Sequence, residues 1–431
     1  MCIRDRFYSV NILIIGNGAR EHVFFKLLTE SSDKTSLFSI NPNAAIQKLS
    51  TPIFKPFSFN LVKEIIKSSA IEMVIVGPEN PLIDGVYDFI KSDSEINHVS
   101  VIGPSRNGAQ LEGSKNFAKN FMARNNIPTA SSKTFTKERF LDACNFLKKS
   151  SAPYVLKADG PAAGKGVVIL ENVEDAIAEL KSMLIDSKFG ESSKKVVIEE
   201  FLSGIEMSCF VIFDGINHIT LPYAKDYKRI GEGDVGLNTG GMGSISPVSF
   251  IDNDLDEKIH EKIIKPTVNG IIKEKINYKG FIFIGLINVD NEPYVIEYNV
   301  RMGDPETQVV LPRIENDFLE IMLAIENKTL DKINLKINPD HFSNVVLASK
   351  GYPEKYDKGF DITGLNNVED SIIFQAGTTL AENKTITNGG RVLSVVSRDK
   401  TFQRALKKSY SNIEKINFEG KTFRKDIGFD L

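Results

Sequence analysis

Short apolar runs rich in β-branched residues recur through the first hundred residues, and each ends at a turn that begins with glycine. Residues 10–15, 71–76 and 98–102 follow this pattern, and residues 21–28 have helical character. Strands that end in tight turns and alternate with helices are typical of a parallel sheet. The pattern therefore predicts an N-terminal α/β domain over residues 10–112.

The pattern changes after Ser114. A helix is predicted over residues 115–125, and short strands separated by glycine turns follow it. Residues 281–289 and 294–299 are β-branched runs on either side of a polar turn that contains proline, which predicts a hairpin. Residues 113–330 are therefore expected to form an α+β region.

A third segment covers residues 335–431. Its predicted elements are strands at 344–349, 372–376 and 390–396 and a helix at 399–413. These elements indicate a small C-terminal domain. Residues 1–9 alternate in charge and do not join the pattern of the first strand, so we interpret them as an extension without a functional role. A chain of 431 residues is too long to fold around a single hydrophobic core, so a multidomain α/β and α+β protein is expected.

Composition excludes several classes of partner. A formal net charge of −3 gives no basic surface for nucleic acid or an anionic membrane. No apolar run reaches the ~18 to 20 residues that span a bilayer, and the N-terminus lacks the apolar region of a signal peptide. The three cysteines, Cys2, Cys144 and Cys209, are scattered and have no metal-binding spacing. We therefore expect a cytoplasmic protein with no nucleic-acid or membrane partner.

The first candidate motif is Gly16-x-Gly18-x-x-Glu21, a glycine turn that enters a helix. Such a turn presents backbone N–H groups to an anion, although a purely structural turn has roughly equal weight. Arg20-Glu21 replaces the third glycine of a dinucleotide motif, and residues 39–41 lack the acid that binds a ribose. A nicotinamide dehydrogenase is therefore disfavoured. Arg20 suits a single phosphate, and Glu21 suits hydroxyls or an amine.

The second motif runs from Lys157 to Gly166, a lysine on a strand followed by a loop of glycine and alanine. Small residues let the backbone approach phosphate oxygens, and Lys157 and Lys165 supply positive charge. The motif is not a P-loop, because no GxxxxGK[ST] precedes a helix. A glycine hairpin with exposed lysines is the alternative interpretation.

Adjacent acids form the third motif. Glu199 and Glu200 end an apolar run, and Glu206 follows a few residues later. In isolation, a strand edge with solvated acids is the favoured interpretation. The motif gains functional interest only from the motifs that surround it.

The fourth motif is the strand that carries Glu297, Asn299 and Arg301. Strand alternation predicts these three on one face and Ile296, Tyr298 and Val300 on the other. A carboxylate and an amide oxygen two residues apart can share Mg²⁺, and arginine can hold an anion beside it. An outward-facing polar strand is the alternative, but it does not explain the Gly-Asp-Pro-Glu turn that follows.

Together these motifs resemble the phosphoribosylamine–glycine ligases, or glycinamide ribonucleotide synthetases, of the ATP-grasp superfamily, from about Asn11 to Gly428. The matching stretches are Gly16–His22, Val76–Glu79, Leu111–Lys115, Asn238–Gly243, Gly303–Gln308 and Thr387–Arg391. The resemblance implies an ATP-grasp region of two lobes over residues 113–330, the smaller lobe at about 135–195.

The resemblance also implies the reaction. ATP would phosphorylate glycine, and 5-phosphoribosylamine would displace phosphate from the glycyl phosphate to give glycinamide ribonucleotide and ADP in de novo purine (IMP) biosynthesis. A monomer is expected. Another ATP-grasp carboxylate–amine ligase or a carboxylase is the nearest alternative, and a non-catalytic nucleotide-binding sensor is a second one.

The resemblance assigns roles residue by residue. ATP phosphates would contact Lys115, Lys157, Gly164, Lys165 and Gly166, and the adenine edge would contact Glu199, Glu200, Phe201 and Leu202, with Glu206 at the ribose. Glu297 and Asn299 would bind Mg²⁺ or Mn²⁺. The substrate-facing set would be Gly18, Arg20, Glu21, Glu79, Asp226, Gly241, Met242, Gly243, Arg301, Asp304 and Glu306. Lys157 and Arg301 would be the catalytic residues.

Three positions depart from the family pattern. Pro161 stands where leucine is usual, Tyr227 where histidine is common and Leu237 where proline is common. Proline lacks an N–H group and fixes φ, so Pro161 is expected to affect the ATP loop. Residues 281–289 also lack the second metal-binding acid of many ATP-grasp enzymes, so a second Mg²⁺ would depend on phosphates and water.

Overall fold

The computed structural model describes residues 9–162 and 166–431. Gly164 and Lys165 of the expected ATP loop lie outside these residues, as does Cys2 of the N-terminal extension. No helix in the described part of the chain is long and apolar enough to cross a membrane.

The N-terminal domain is built on a five-stranded parallel sheet with the strand order β3-β2-β1-β4-β5. Its elements are β1 Val10–Ile15, α1 Ala19–Thr29, β2 Thr35–Ile40, α2 Ile46–Leu49, β3 Thr51–Ile53, α3 Phe59–Ser68, β4 Met73–Val76, α4 Glu79–Ile83, α5 Val86–Ser92, β5 Ser100–Ile102 and α6 Arg106–Gly113. The predicted parallel sheet is confirmed. Because the strands are parallel, the carboxyl ends of β1, β4 and β5 share one edge of the sheet, and a glycine turn follows each of them there.

A small lobe with its own hydrophobic core follows the N-terminal domain. Its elements are α7 Lys115–Arg124, β6 Ser132–Thr136, α8 Phe140–Lys149, β7 Tyr154–Ala158, β8 Val167–Leu170, α9 Val173–Leu184 and β9 Lys195–Glu199. The four strands form an antiparallel sheet in the order β6-β9-β7-β8. Its core draws on α8, α9 and the sheet, from Phe135 to Ile198.

A second antiparallel sheet, in the order β11-β10-β16-β17, lies at the centre of the molecule. The elements of this region are β10 Ile205–Phe213, β11 His218–Thr220, β12 Lys225–Asp226, β13 Arg229–Gly231, β14 Val235–Asn238, β15 Gly243–Ser246, α10 Asn253–Ile259, α11 Lys265–Lys273, β16 Gly280–Val289, β17 Glu292–Asn299, α12 Thr307–Val310 and α13 Phe318–Asn327. The hairpin predicted at its edge is β16–β17. Its turn residues Asp290 and Asn291 both have positive φ, as a two-residue hairpin turn requires.

One detail of β17 differs from the expected alternation. Val295 pairs with Leu286 and Glu297 pairs with Gly285, so Ile296 is an extra residue at a β-bulge. Val295 and Tyr298 are both buried in one core, whereas Ile296 is only half-buried and lies outside it. The prediction that Ile296 shares the apolar face of Tyr298 is therefore wrong, because the bulge shifts the alternation by one residue.

The C-terminal domain contains a sheet that extends into the central region. Its elements are β18 His341–Ser349, β19 Ser371–Gln375, β20 Thr378–Ala381, β21 Lys384–Thr387, β22 Arg391–Asp399, α14 Phe402–Ile413 and β23 Lys421–Thr422. The sheet order is β12-β15-β18-β22-β19, so two strands from the central region complete it. The mixed α/β and α+β fold predicted from the sequence is confirmed.

Helix α1 joins the N-terminal domain to the central sheet through Phe24. Its ring stacks on Phe281 of β16 at 5.9 Å and on Phe318 of α13 at 5.7 Å between centroids. Phe24 is 1% exposed, and both partners are buried in the same core. The relative position of the two parts therefore depends on apolar packing around this ring.

We expect Phe24→Ala to lower the free energy of unfolding by about 3–5 kcal/mol, because it opens a cavity between two packed elements. Phe54, which is 63% exposed, provides the matched control, and Phe54→Ala should change stability by less than about 0.5 kcal/mol. Urea unfolding followed by fluorescence or circular dichroism measures both. Equal midpoints for the two variants would show that Phe24 does not join the domains.

Candidate active site

Lys157 lies in the small lobe at the centre of a buried charge cluster. Lys157 is on β7 and Glu199 is on the adjacent strand β9, and the Lys157 Nζ to Glu199 Oε2 distance is 2.9 Å. Lys119 of α7 approaches the same oxygen at 3.3 Å. Both lysines are buried. The motifs did not predict Lys119, although a lysine on the face that carries Ala118 and Met122 is an unusual residue in a helix core.

The loop after β7 is tied to the start of α7 through Asp159. Its Oδ1 accepts hydrogen bonds from Ser114 Oγ at 2.9 Å and from the backbone N–H of Asn116 at 2.8 Å. Its carbonyl accepts from the backbone N–H of Lys115 at 3.0 Å. Asp159 thus caps helix α7 and places Lys115 beside the loop that follows Lys157 and the rest of β7.

Pro161 is exposed, and its carbonyl accepts a hydrogen bond from Ser192 Oγ at 2.6 Å. The other departures lie elsewhere. Tyr227 is buried, and its hydroxyl donates to Asp430 Oδ1 at 2.9 Å, whereas Leu237 is 51% exposed on the β13–β14 hairpin. Tyr227 is therefore a packed residue with its own partner, and nothing in the structure explains the leucine at 237.

The acidic segment after β9 divides into two parts. Glu200 Oε1 accepts from the backbone N–H of Ser131 at 2.8 Å, and Phe201 next to it is exposed. Glu206 on β10 pairs with Lys228 at 2.6 Å, and Lys228 also lies 3.4 Å from Asp226. Lys228 lowers the pKa of the Glu206 carboxyl despite the opposing effect of burial.

Arg301 lies between two carboxylates of the N-terminal domain. Its Nη2 is 2.8 Å from Glu112 Oε1 and 3.2 Å from Asn299 Oδ1, and its Nε is 3.3 Å from Glu79 Oε2. Burial lowers the pKa of Arg301, but Glu112 and Glu79 outweigh it and raise the pKa overall. Glu112 was not predicted as a site residue, although it lies in the stretch Leu111–Lys115 that carries the family resemblance.

Glu21 occupies a space that only glycines leave open. A Cβ atom on Gly77 would lie 2.0 Å from Glu21 Oε1, and one on Gly16 would lie 2.6 Å from its carboxyl carbon. The carboxylate accepts from the backbone N–H of Gly18 at 2.7 Å and from Arg20 Nε at 2.7 Å. The Gly18 N–H is therefore bonded within the protein rather than directed at a ligand, while Arg20 also donates to the Met302 carbonyl.

Glu306 is fully buried near a second carboxylate. Ser208 Oγ donates to Glu306 Oε1 at 3.2 Å. Among the charged groups around Glu306, Asp226 has the largest effect on its pKa. Burial and the charge of Asp226 raise the pKa of Glu306 to about 8. Glu306 is therefore largely protonated at neutral pH and can donate a hydrogen bond.

Arg391 of the C-terminal domain organises the loop Gly241–Gly243. Its Nη1 donates to the carbonyls of Gly240 at 2.6 Å and Asp304 at 2.7 Å, and its Nη2 is 3.3 Å from Asp304 Oδ2. Gly241 has φ of +111°, and a Cβ there would meet Pro305 at 2.3 Å. Met242 between them is buried. Arg391 was not predicted as a site residue, although it lies in the stretch Thr387–Arg391.

The metal-binding hypothesis rests on Glu297 and Asn299 at the end of β17. Asn299 Oδ1 accepts a hydrogen bond from Arg301 Nη2, and Asn299 Nδ2 is buried without a hydrogen-bond partner among the described residues. Across residues 9–162 and 166–431, no three His, Cys, Asp or Glu side chains form a cluster that could hold a metal. Two hard oxygen donors without a complete protein cage fit a cation that is also bound by phosphates and water.

The fold and the site together define an ATP-grasp protein. The buried Lys157 lies on the sheet of the small lobe, and Glu297 and Asn299 lie at the end of β17 in the central sheet. Biotin carboxylase from Campylobacter jejuni shares the fold, with a TM-score of 0.73, 14% identity and coverage of 96% of this chain and 93% of that one.

Sequence comparison covers nearly the whole chain. Phosphoribosylglycinamide synthetase N, ATP-grasp (A) and C domains match residues 10–112, 113–307 and 342–430. Phosphoribosylamine–glycine ligase from Caldanaerobacter subterraneus is 41% identical over 97% of this chain and 99% of its own length. The crystal structure of the Thermotoga maritima protein of that name has a TM-score of 0.83 and 35% identity and covers 97% of this chain and 100% of that one.

The chain spans 54% of a bifunctional purine biosynthetic protein from Dictyostelium discoideum, to which it is 42% identical. A bifunctional protein from Pichia angusta is matched over 53% of its length. The chain therefore belongs to the phosphoribosylglycinamide synthetase family of ATP-grasp ligases. The family inferred from the sequence motifs is confirmed.

We expect Glu306→Gln to stabilise the protein progressively, relative to wild type, as the pH rises. The pKa of Glu306 is about 8 in the folded state against 4.5 for an ordinary glutamate. Its contribution to stability is fully present below about pH 4.5 and is lost as the pH rises through about 8. Glutamine cannot ionise, so the stability difference between the variants should shift in favour of glutamine over this range.

Urea unfolding at pH 5.5, 7 and 8.5 measures this difference. The exposed Glu354→Gln is the control and should stay within about 0.5 kcal/mol of wild type at each pH. A stability difference for Glu306→Gln that does not change with pH would contradict a protonated Glu306.

Proposed function

We propose that this chain uses ATP to join the carboxylate of glycine to the amine of 5-phosphoribosylamine, giving glycinamide ribonucleotide, ADP and phosphate. The observation that carries the proposal is the convergence of three groups. They are the buried lysines around Glu199, the oxygen donors at the end of β17, and the paired charges around Arg301. The names of relatives that match over their full length support the same reaction.

On the ATP side, Lys157 and Lys115 would contact the phosphates, together with Gly164, Lys165 and Gly166. The exposed ring of Phe201 and the segment Glu199–Leu202 would lie along the adenine. Glu206 would bind the ribose after its contact with Lys228 loosens. A lysine charge in this buried position strengthens phosphate binding, because little water screens it.

Glu297 and Asn299 would hold Mg²⁺ or Mn²⁺ between the protein and the phosphates. When bound, the cation would neutralise charge on the transferring phosphoryl group. The protein would contribute the half-exposed carboxylate of Glu297 and the amide oxygen of Asn299. Arg301 beside them would orient the glycine carboxylate or the phosphoryl oxygens.

The acceptor side would be formed by the substrate-facing set. Arg20 would meet the phosphate of phosphoribosylamine, while Glu21 and Glu79 would bind its hydroxyls or amine. Asp226 and Glu306 would bind the substrate together, and the protonated Glu306 can donate a hydrogen bond to it. The loop Gly241–Gly243 and Asp304 would hold the substrate against them.

The reaction would proceed in two balanced steps. A glycine carboxylate oxygen attacks the γ-phosphorus of ATP, and the bond to the bridging oxygen breaks with its electron pair on ADP. The amine of phosphoribosylamine then attacks the acyl carbon and loses a proton. The C–O bond breaks, and phosphate leaves with that oxygen. Because the acyl phosphate is labile, the residues around it must exclude water until the amine arrives.

We further propose that the protein acts as a cytoplasmic monomer in de novo purine biosynthesis. The domain division at residues 10–112, 113–330 and 335–431 is proposed with it, although β12 and β15 join the C-terminal sheet. Neither nucleic acid nor a membrane is needed as a partner.

Release of ADP should require ATP, glycine and phosphoribosylamine together, because closure of the site waits for the amine. A coupled assay that omits each substrate in turn measures this dependence. Bicarbonate should not replace glycine. Full ADP release with bicarbonate, or none with all three substrates present, would contradict the proposed ligase.

Glu297→Gln should lower kcat at least 100-fold while leaving thermal stability within about 0.5 kcal/mol, because it removes a metal-binding charge rather than a core contact. Glu292→Gln is the matched control on the same strand, where Glu292 pairs with Lys262 at the surface. The control should retain wild-type activity. Near-normal turnover of Glu297→Gln at limiting Mg²⁺ would remove Glu297 from the metal site.

A further inference from the structure

Lys119 is a buried lysine that no substrate-binding motif includes. It lies on the inner face of α7, where neighbouring positions are apolar, and its side chain is 8% exposed. Its ammonium donates to Thr129 Oγ1 at 2.8 Å and to the Ala130 carbonyl at 3.1 Å. The desolvation of a lysine ammonium is costly, so a functional reason for this charge is expected.

The position of Lys119 relative to Glu199 suggests that reason. Glu199 Oε2 is 3.3 Å from Lys119 and 2.9 Å from Lys157, so one carboxylate oxygen serves two ammonium groups. All three side chains are less than 10% exposed. The cluster therefore carries one excess positive charge beside the loop that follows β7. Burial lowers the pKa of Lys119, although Glu199 opposes the shift.

We infer that Lys119 is a positioning residue, which competes for Glu199 and thereby leaves the charge of Lys157 available to the phosphates of ATP. Without Lys119, Glu199 and Lys157 would form a closed neutral pair, and the electrostatic attraction for phosphate would fall. The inference rests on the proposed function, because it assumes that Lys157 contacts nucleotide phosphates.

Lys119 also fixes the direction in which the cluster faces. Thr129 Oγ1, which accepts from Lys119, donates to the Val295 carbonyl of β17 at 2.6 Å. Lys119 thus links the small-lobe lysine to the strand that carries Glu297 and Asn299.

The test measures binding of ATP with Mg²⁺ to the full chain by calorimetry, without the other two substrates, together with the KM values for ATP and glycine. Lys119→Met should weaken ATP binding by about ten-fold or more, with the KM for glycine changed less than about two-fold. Thr129→Val is the matched control, because it removes an uncharged partner of Lys119 and keeps all three charges. Its ATP affinity should stay within about two-fold of wild type.

A second variant separates charge from packing. Lys119→Met combined with Glu199→Gln restores the excess positive charge and should recover most of the lost ATP affinity, which a purely structural role of Lys119 would not allow. If Lys119→Met does not fold, Glu199→Gln is compared with the double variant. Because Glu199→Gln removes the carboxylate for which Lys119 competes, removal of Lys119 in that background should change ATP affinity by less than about two-fold.

Wild-type ATP affinity in a folded Lys119→Met protein would overturn the inference, as would a double variant no better than the single one. In the Glu199→Gln background, a large loss of affinity after removal of Lys119 would have the same meaning. Failure of the wild-type chain to bind ATP would instead overturn the proposed function.

Discussion

The buried guanidinium of Arg301 is the constraint on which the site depends. A charge of this kind is tolerated only when its partners are fixed around it, and two of them, Glu79 and Glu112, come from the N-terminal domain. Glu112 also accepts the backbone N–H of Val300 at 2.8 Å, so the same carboxylate holds the chain just beyond β17. The strand end that carries Glu297 and Asn299 is therefore fixed to the N-terminal domain, at the point where the proposed substrates would meet.

The surrounding cleft consists of charges held in pairs by the protein. Arg391 from the C-terminal domain pairs with Asp304, and Lys228 lies between Glu206 and Asp226. Such pairs keep their direction before a ligand arrives, which reduces the reorganisation needed during the reaction. Under the proposed function, a chain with a slight negative net charge would bind highly anionic substrates in this way, because lysine and arginine charges act locally where little water screens them.

The elements with strong local signals could be predicted from the sequence. The strand Val10–Ile15 and the β16–β17 hairpin follow from apolar runs and turn chemistry, which depend on near neighbours. The bulge at Ile296 could not be predicted, because it arises from the pairing register with β16. Arg391 and Lys119 were missed for a related reason. Arg391 reaches the Asp304 carbonyl across 87 residues, and Lys119 reaches a carboxylate on another element, so only the folded arrangement reveals their partners.

The central claim is that this cleft activates the carboxylate of glycine, and an isotope measurement tests it most directly. Glycine labelled with heavy oxygen at both carboxylate positions is supplied with ATP and phosphoribosylamine, and the released phosphate is analysed by mass spectrometry. The account predicts one heavy oxygen in each phosphate, because the acyl C–O bond breaks when the amine attacks. Unlabelled phosphate formed during turnover would contradict activation of glycine by phosphorylation.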